Sequence, residues 1–163
     1  MNTREASAEP TWIRRMVVAA DGSPASLVGL EQATDLAAWV GAKVVVVHVR
    51  HVPVMAMSAP SAGSAAVLES LDELESEVRK QAARILGSSG AAWDFVVRSG
   101  SPGEEIVEVV SEVGADIVVV GSNRHSSLHN LVLGSTAAYL TTHSPVPVLV
   151  MRSPAPAEVA HSR

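Results

Sequence analysis

Four valines stand in a row at residues 44–47, and this run restricts the fold of the chain more than any other feature. Valine is β-branched and favours extended backbone, and a run of this length is too short for a stable helix. Strands that are apolar at every position are typical of parallel sheets that helices cover on both faces. Residues 43–49 are therefore predicted to form a strand that is buried on both sides.

Other segments of the chain repeat this pattern and alternate with helical ones. Further strands are predicted at residues 14–20, 91–100, 116–120 and 145–151. Helices are predicted from Ser23 to about residue 40, over residues 67–86, over 101–114, and from about 131 or 134 to 143. Residues 50–66 show no period and are predicted to be a flexible loop. The alternation predicts an α/β fold in which a five-stranded parallel sheet lies between two layers of helices.

Length and composition limit the classes of protein to which the chain can belong. Its 163 residues fit one domain, with a disordered leader expected at residues 1–11, a folded domain at 12–152 and a flexible tail at 153–163. The absence of cysteine excludes disulfides and thiolate sites, and a net charge of −5 argues against nucleic acid as a partner. No apolar run approaches the roughly 18 residues of a membrane span, and no secretory signal is visible. A cytoplasmic protein without a membrane partner is expected.

Motifs of several common enzyme classes are missing from the sequence. The chain has no G-x-x-x-x-G-K-[ST] loop, no G-x-G dinucleotide fingerprint and no G-x-S-x-G nucleophile elbow. His48 lies in the valine-rich strand, where we expect a core histidine rather than a catalytic base. His125 and His129 are four residues apart in a serine-rich loop without a nearby carboxylate, so no metal site is predicted there. No catalytic residue is predicted.

Two glycine-serine elements are candidates for holding an anion. Gly121-Ser122 follows the fourth predicted strand, and Gly134-Ser135 precedes the last predicted helix. Backbone N–H groups at a helix N-terminus attract anions, and glycine lets a ligand come close to the chain. Ligands of parallel α/β sheets bind at the carboxyl ends of the strands, where the strand order reverses. We therefore expect an anion to bind near these two elements.

Four segments together resemble the universal stress protein family over about residues 13–152. They are VVAADGS, VVVVHV, GADIVVVGS and LVLGSTAAYLTTHSPVPVLVMR. The resemblance implies a Rossmann-like sheet of five parallel strands in the order 3-2-1-4-5, with four helices. It further implies a stress-response protein that binds ATP with Mg²⁺ and acts as a sensor or adaptor, with at most slow hydrolysis. It also implies a homodimer through the last strand, between Val146 and Met151, and a protein partner that the sequence does not identify.

The family's ATP motif is a glycine, two residues, a second glycine, nine residues, and a glycine followed by serine or threonine. Gly121 matches the first glycine and Gly134-Ser135 the closing pair, while Arg124 stands at the middle glycine position. The resemblance assigns nucleotide contacts as follows. The adenosine side would be Ala19, Ala20, Asp21, Val49 and Val120, and the phosphate side would be Gly121, Asn123, Arg124, Gly134, Ser135 and Thr136.

Arg124 leaves two interpretations open. If the position needs a positive φ, arginine there costs about 1–2 kcal/mol of strain, and its side chain fills the phosphate space. If the loop relaxes around Asn123, the guanidinium reaches the phosphates, and a charge-assisted contact is worth roughly 1.5–3 kcal/mol. The first interpretation gives the alternative function, a stress protein that binds no nucleotide and acts through dimerisation and protein–protein contacts.

Overall fold

A computed structural model describes residues 12–51, 62–122 and 133–152. Within these ranges strands and helices alternate as the sequence predicts. They are β1 (Arg15–Ala19), α1 (Pro24–Val40), β2 (Lys43–Arg50), α2 (Ala62–Gly87), β3 (Trp93–Ser99), α3 (Pro102–Val113), β4 (Ile117–Ser122), α4 (Ser135–His143) and β5 (Val148–Arg152). The predicted leader at 1–11 and tail at 153–163 lie outside the described residues. None of the helices in these ranges is long and apolar enough to cross a membrane.

The five strands form one parallel sheet in the order β3-β2-β1-β4-β5. This confirms the fold class and the strand order that the sequence and its resemblance predict. From β1 the chain first winds outward to β3 and then crosses back to β4, so the order reverses between β1 and β4. β5 lies at one edge, as expected for a strand that follows two prolines.

Each face of the sheet carries its own apolar core. Val44 and Val46 pack on the face that α1 and α2 cover, and Val45 and Val47 pack on the face that α3 and α4 cover. All four side chains are at most 3% exposed. Burying a valine side chain contributes roughly 1.5–3 kcal/mol, so this run stabilises both layers at once. The predicted burial on both sides is confirmed.

The predicted start and end of the first helix are also confirmed. The Ser23 hydroxyl accepts a hydrogen bond from the Ser26 backbone N–H at 3.2 Å, and Pro24 takes the first helical position. The helix ends at Gly41, whose φ of 71° is a left-handed conformation that glycine adopts without strain. These local signals position the start of α1 at the carboxyl edge of the sheet.

The prediction for the second helix is wrong at its start and in part of its buried face. α2 begins at Ala62, so the last part of the predicted 50–66 loop is helical, while residues 52–61 lie outside the described residues. The opening of α2 is alanine-rich and therefore helix-favouring, although it has no apolar period that would reveal a helix. The sequence places Leu74 at a helical spacing with Val78 that predicts burial of both, but Leu74 is 42% exposed, whereas Val78 and Leu86 are buried. The described side chains of α2 that are buried in the core lie in its C-terminal half.

Asp116 connects the segment before β4 to the start of β1. Its Oδ2 accepts hydrogen bonds from the backbone N–H groups of Arg14 at 2.8 Å and Arg15 at 2.9 Å. These two hydrogen bonds lower the pKa of the Asp116 carboxyl below its ordinary value. The ionised carboxylate therefore stabilises the folded state.

Replacing Asp116 with alanine is expected to lower the free energy of unfolding at neutral pH by about 1–2 kcal/mol, the net worth of two hydrogen bonds near solvent. Because the pKa is lower in the folded state, this contribution is complete above the ordinary aspartate pKa of about 3.9. It is lost as the pH falls through the lower, folded-state value. Urea denaturation at several pH values measures the effect, with Asp35→Ala on the exposed face of α1 as the control. A difference from the wild type that persists unchanged at acid pH would contradict this explanation.

Candidate functional site

A cavity of about 270 Å³ opens at the carboxyl edge of the sheet. The ends of β1, β2 and β4 line it from below, and the first turns of α1, α3 and α4 line its sides. β1 and β4 are neighbours at the point where the strand order reverses. The cavity therefore occupies the crevice in which α/β sheets of this kind bind ligands.

The structure brings nine of the predicted contact residues together around this cavity. They are Ala19, Ala20, Asp21, Val49, Val120, Gly121, Gly134, Ser135 and Thr136. The other two, Asn123 and Arg124, lie outside the described residues. That a ligand contacts these side chains stays a prediction, but their convergence on one cavity is an observation.

Seven further residues line the cavity beyond the predicted nucleotide contacts, and of these seven only Ser122 belongs to a predicted anion-binding element, Gly121-Ser122. The seven are Ser23, Ala25, Ser26, Pro102, Ile106, Ser122 and Ala137. A helix that follows a parallel strand starts at the carboxyl edge, so the helix-start residues could have been identified. Ser122 is already expected near an anion as part of Gly121-Ser122, and the alternation of side chains along a strand places it on the same face as Val120.

Asp21 forms a tight turn between β1 and α1. Its Oδ1 accepts a hydrogen bond from the Ser23 backbone N–H at 2.9 Å, and its own N–H donates to the Ser26 hydroxyl at 3.4 Å. Partial burial raises the pKa of the Asp21 carboxyl, but the hydrogen bonds with Ser23 and Ser26 outweigh it and lower the pKa overall. The carboxylate is therefore ionised at neutral pH. An aspartate before glycine often caps a turn in this way, and the predicted ligand contact of Asp21 is compatible with it.

The N-terminus of α4 opens into the cavity without a side-chain cap. Gly134 is the N-cap residue, with φ −60° and ψ 159°, and among the described residues no side chain caps this end of the helix. A Cβ atom added at Gly134 would meet no atom of residues 12–51, 62–122 or 133–152 within 4 Å, so this part of the chain leaves the position open. The first turn contains no acidic residue. The free N–H groups of this turn and the positive end of the helix dipole are thus available to an anion.

The N-terminus of α3 also lines the cavity, but its first turn is acidic, unlike that of α4. Glu104 and Glu105 lie in its first turn, where they offset the positive end of the helix dipole. Tyr139 of α4 packs against Gly103 of α3, and a Cβ atom at Gly103 would lie 2.5 Å from the Tyr139 Cδ1. This close packing holds the two helix starts side by side, and α4 is the one that favours an anion.

Gly121 is needed for a reason that the sequence does not reveal. The sequence predicts a glycine that lets an anionic ligand come close to the end of β4. A Cβ atom at Gly121 would instead overlap the Ala25 carbonyl oxygen and lie 2.9 Å from the Ser26 nitrogen. Gly29 of α1 faces the same point, since a Cβ atom there would lie 3.1 Å from the Gly121 Cα. The close approach that requires Gly121 is that of α1 to β4.

His48 is a core residue, as the sequence analysis expects. It is 2% exposed, and its Nδ1 lies 2.9 Å from the Ala20 carbonyl oxygen. A carbonyl oxygen only accepts hydrogen bonds, so Nδ1 carries the proton and donates it. This hydrogen bond fixes the end of β1 beside the cavity. His125 and His129 lie outside the described residues.

Comparisons with known proteins agree on one family. A model of the universal stress protein family matches residues 13–152. The chain is 30% identical over 145 residues to universal stress protein YxiE of Bacillus subtilis, a match that covers 85% of this chain and 98% of the relative. It is similar in structure to a protein of the same family from Burkholderia pseudomallei, with a TM-score of 0.72, 23% identity and coverage of 89% and 100% of the two chains.

A second similar structure carries a nucleotide. It is a universal stress protein in complex with cAMP, with a TM-score of 0.58, 25% identity and coverage of 86% of this chain and 97% of the other. The family match spans most of the chain, and the relative from Bacillus subtilis is matched over almost its whole length. The chain therefore belongs to the universal stress protein family.

Proposed function

We propose that this stress protein binds ATP in the cavity between β1 and β4 and works as a nucleotide sensor or adaptor. One observation carries the proposal: the uncapped N-terminus of α4 opens into a cavity at the point where the strand order reverses. Such a terminus attracts phosphate through its free N–H groups and its dipole. Neither the φ of Gly134 nor any described neighbouring atom requires a glycine at this position. The absence of a side chain there therefore serves to leave space for a ligand.

The shape of the cavity supports a nucleotide rather than a small inorganic anion. Val49 at the end of β2 and Gly121 at the end of β4 lie on opposite sides of β1. They are therefore two strand spacings apart, about 10 Å. Val49 and Ile106 give one end of the cavity apolar walls that suit a base, while α4 gives the other end its anion-binding groups. The related protein in complex with cAMP supports an adenine nucleotide.

Mg²⁺ would enter with the nucleotide, bound mainly by phosphate oxygens, as is usual for this cation. The hydroxyls of Ser135 and Thr136 and the carboxylate of Asp21 line the cavity and offer further oxygen ligands of the kind that Mg²⁺ takes. Asp21 is already held in its turn by Ser23. It is therefore poorly placed to act as a mobile general base, which fits slow hydrolysis at most.

Two further parts of the proposal concern assembly and location. β5 is an edge strand, and its residues from Val148 to Met151 are only partly buried. An exposed apolar edge strand invites pairing with another chain, and a second copy of β5 would cover it as a homodimer. The protein would act in the cytoplasm, where ATP is abundant. A protein partner would bind preferentially to its nucleotide-bound form.

The proposal predicts that the purified protein carries or takes up an adenine nucleotide. Denaturing the protein and analysing the released small molecules by mass spectrometry identifies a nucleotide that co-purifies. Calorimetric titrations with Mg-ATP, AMP and cAMP then compare the candidates, and we expect one Mg-ATP per chain. If no nucleotide is released and none gives binding heat, the proposal is wrong.

In that case the alternative function gains support, in which Arg124 closes the phosphate site and the protein works through protein contacts. Arg124→Gly separates the two interpretations of that residue. The variant should bind Mg-ATP more tightly than the wild type if the arginine obstructs the site, and less tightly if the guanidinium contacts the phosphates.

A further inference from the structure

Ser122, the last residue of β4, has a buried hydroxyl to which the described part of the chain offers no hydrogen bond. The residue is 3% exposed and lines the cavity. Its Oγ has no hydrogen-bond partner among the residues that the structure describes. A buried hydroxyl without a partner is unfavourable, so such a group calls for an explanation.

A second serine of the same cavity has a hydroxyl that both donates and accepts a hydrogen bond within the fold. Ser26 is 7% exposed and also lines the cavity. Its hydroxyl donates to the Ser23 carbonyl oxygen at 3.0 Å and accepts from the Asp21 N–H at 3.4 Å. The hydroxyl of Ser26 is therefore bonded within the fold, whereas the described residues leave that of Ser122 without a partner.

The strand geometry directs Ser122 toward the anion-binding end of the cavity. Side chains alternate along β4, so Ser122 lies on the same face as Val118 and Val120, the face that α3 and α4 cover. Gly121 lies on the opposite face, against α1. The uncapped first turn of α4 lines the same cavity and covers β4. A hydroxyl donor and a set of free backbone donors thus belong to one end of one cavity.

We infer that Ser122 is a binding residue whose Oγ–H donates a hydrogen bond to a phosphate oxygen of the bound nucleotide. This inference rests on the proposed function and deepens it. It makes Ser122 a determinant of specificity, because its hydroxyl raises the affinity for a ligand that carries phosphate and does not raise the affinity for the free nucleoside. The hydroxyl pairs when the ligand binds, which explains why the protein keeps it unpaired beforehand.

Ser122→Ala tests the inference with Mg-ATP, AMP and adenosine in calorimetric titrations, together with the melting temperature of the ligand-free protein. We expect about tenfold weaker binding of Mg-ATP and of AMP, the size of effect typical of a hydrogen bond to a charged group. The affinity for adenosine should stay within about twofold of the wild type, and the melting temperature should not fall. The control is Ser26→Ala, which should lower the melting temperature because its hydroxyl is bonded within the fold.

Two results would overturn the inference and leave the proposed function standing. In the first, Ser122→Ala binds Mg-ATP and AMP as tightly as the wild type does. In the second, the variant loses affinity for adenosine as much as for AMP, which would mean a distorted cavity rather than a lost phosphate contact. If the wild type itself binds none of the three, the proposed function and the inference both fail.

Discussion

Replacing Gly134 with aspartate is expected to abolish nucleotide binding and, at the same time, to make the ligand-free protein more stable. Gly134 has an N-cap conformation that aspartate adopts readily, and its surroundings are open. An aspartate there would cap α4 and interact favourably with its dipole, adding about 1 kcal/mol to the free energy of unfolding. That gain corresponds to a melting temperature about 2–4 °C higher in a chain of this size.

The same carboxylate would occupy the position proposed for the phosphates. Two unit negative charges about 4 Å apart repel by about 4 kcal/mol near a protein surface. The affinity for Mg-ATP should therefore fall by at least about 100-fold. Calorimetric titration measures the loss, and thermal unfolding without ligand measures the gain. A variant that is stabilised and still binds Mg-ATP normally would show that the phosphates do not reach α4.

Gly134→Asn is the matched control, because asparagine has the shape of aspartate without its charge. It is an equally good N-cap residue, so it should also stabilise the ligand-free protein, by about 0.5 kcal/mol. The loss of affinity from filling the open space should be about tenfold or less, since a neutral amide can donate to phosphate as well as crowd it. The difference between the two variants then isolates the charge of the ligand at this position.

The sheet and most of its connections could be predicted from local patterns in the sequence. The valines at 44–47 are buried on both faces, as the run itself implies. Ser23 and Gly41 mark the ends of α1 because capping depends on neighbouring residues alone. A helix start directly after a parallel strand also defines the edge at which ligands bind. The location of the cavity follows from these facts together.

Other features depend on contacts between distant parts of the chain, and no local pattern contains them. The start of α2 at Ala62 has no apolar period, and the buried core residues of this helix begin only at Val78 among the described side chains. Leu74 precedes this point and is exposed. The unpaired hydroxyl of Ser122 is visible only once Ser26 and its partners are in place, since a sequence does not reveal which polar groups are already bonded.

Gly121→Ala is expected to lower the free energy of unfolding by about 3 kcal/mol or more, the upper part of the range for overpacked interiors. The added Cβ would lie 2.5 Å from the carbonyl carbon of Ala25 and overlap its oxygen. Both partners are backbone atoms, and α1 can move away from β4 only by breaking the core beneath it. Urea denaturation monitored by circular dichroism measures the change, if the variant accumulates as a folded protein at all.

Gly134→Ala and Gly29→Ala complete a graded series around the cavity. Gly134→Ala should change stability by no more than about 1 kcal/mol, since its Cβ meets open space and only the N-cap preference is lost. The loss of stability from Gly29→Ala should lie between those of Gly134→Ala and Gly121→Ala. Its Cβ would lie 3.1 Å from the Gly121 backbone, but alanine itself favours the helix. If Gly121→Ala were as stable as Gly134→Ala, the packing of α1 on β4 could not be the reason for the glycine. The explanation would then be that Gly121 lets a phosphate approach the backbone, so both Gly121 and Gly134 would serve the ligand. With the expected order, the motif divides into a glycine that the fold requires and a glycine that the fold leaves free for the nucleotide.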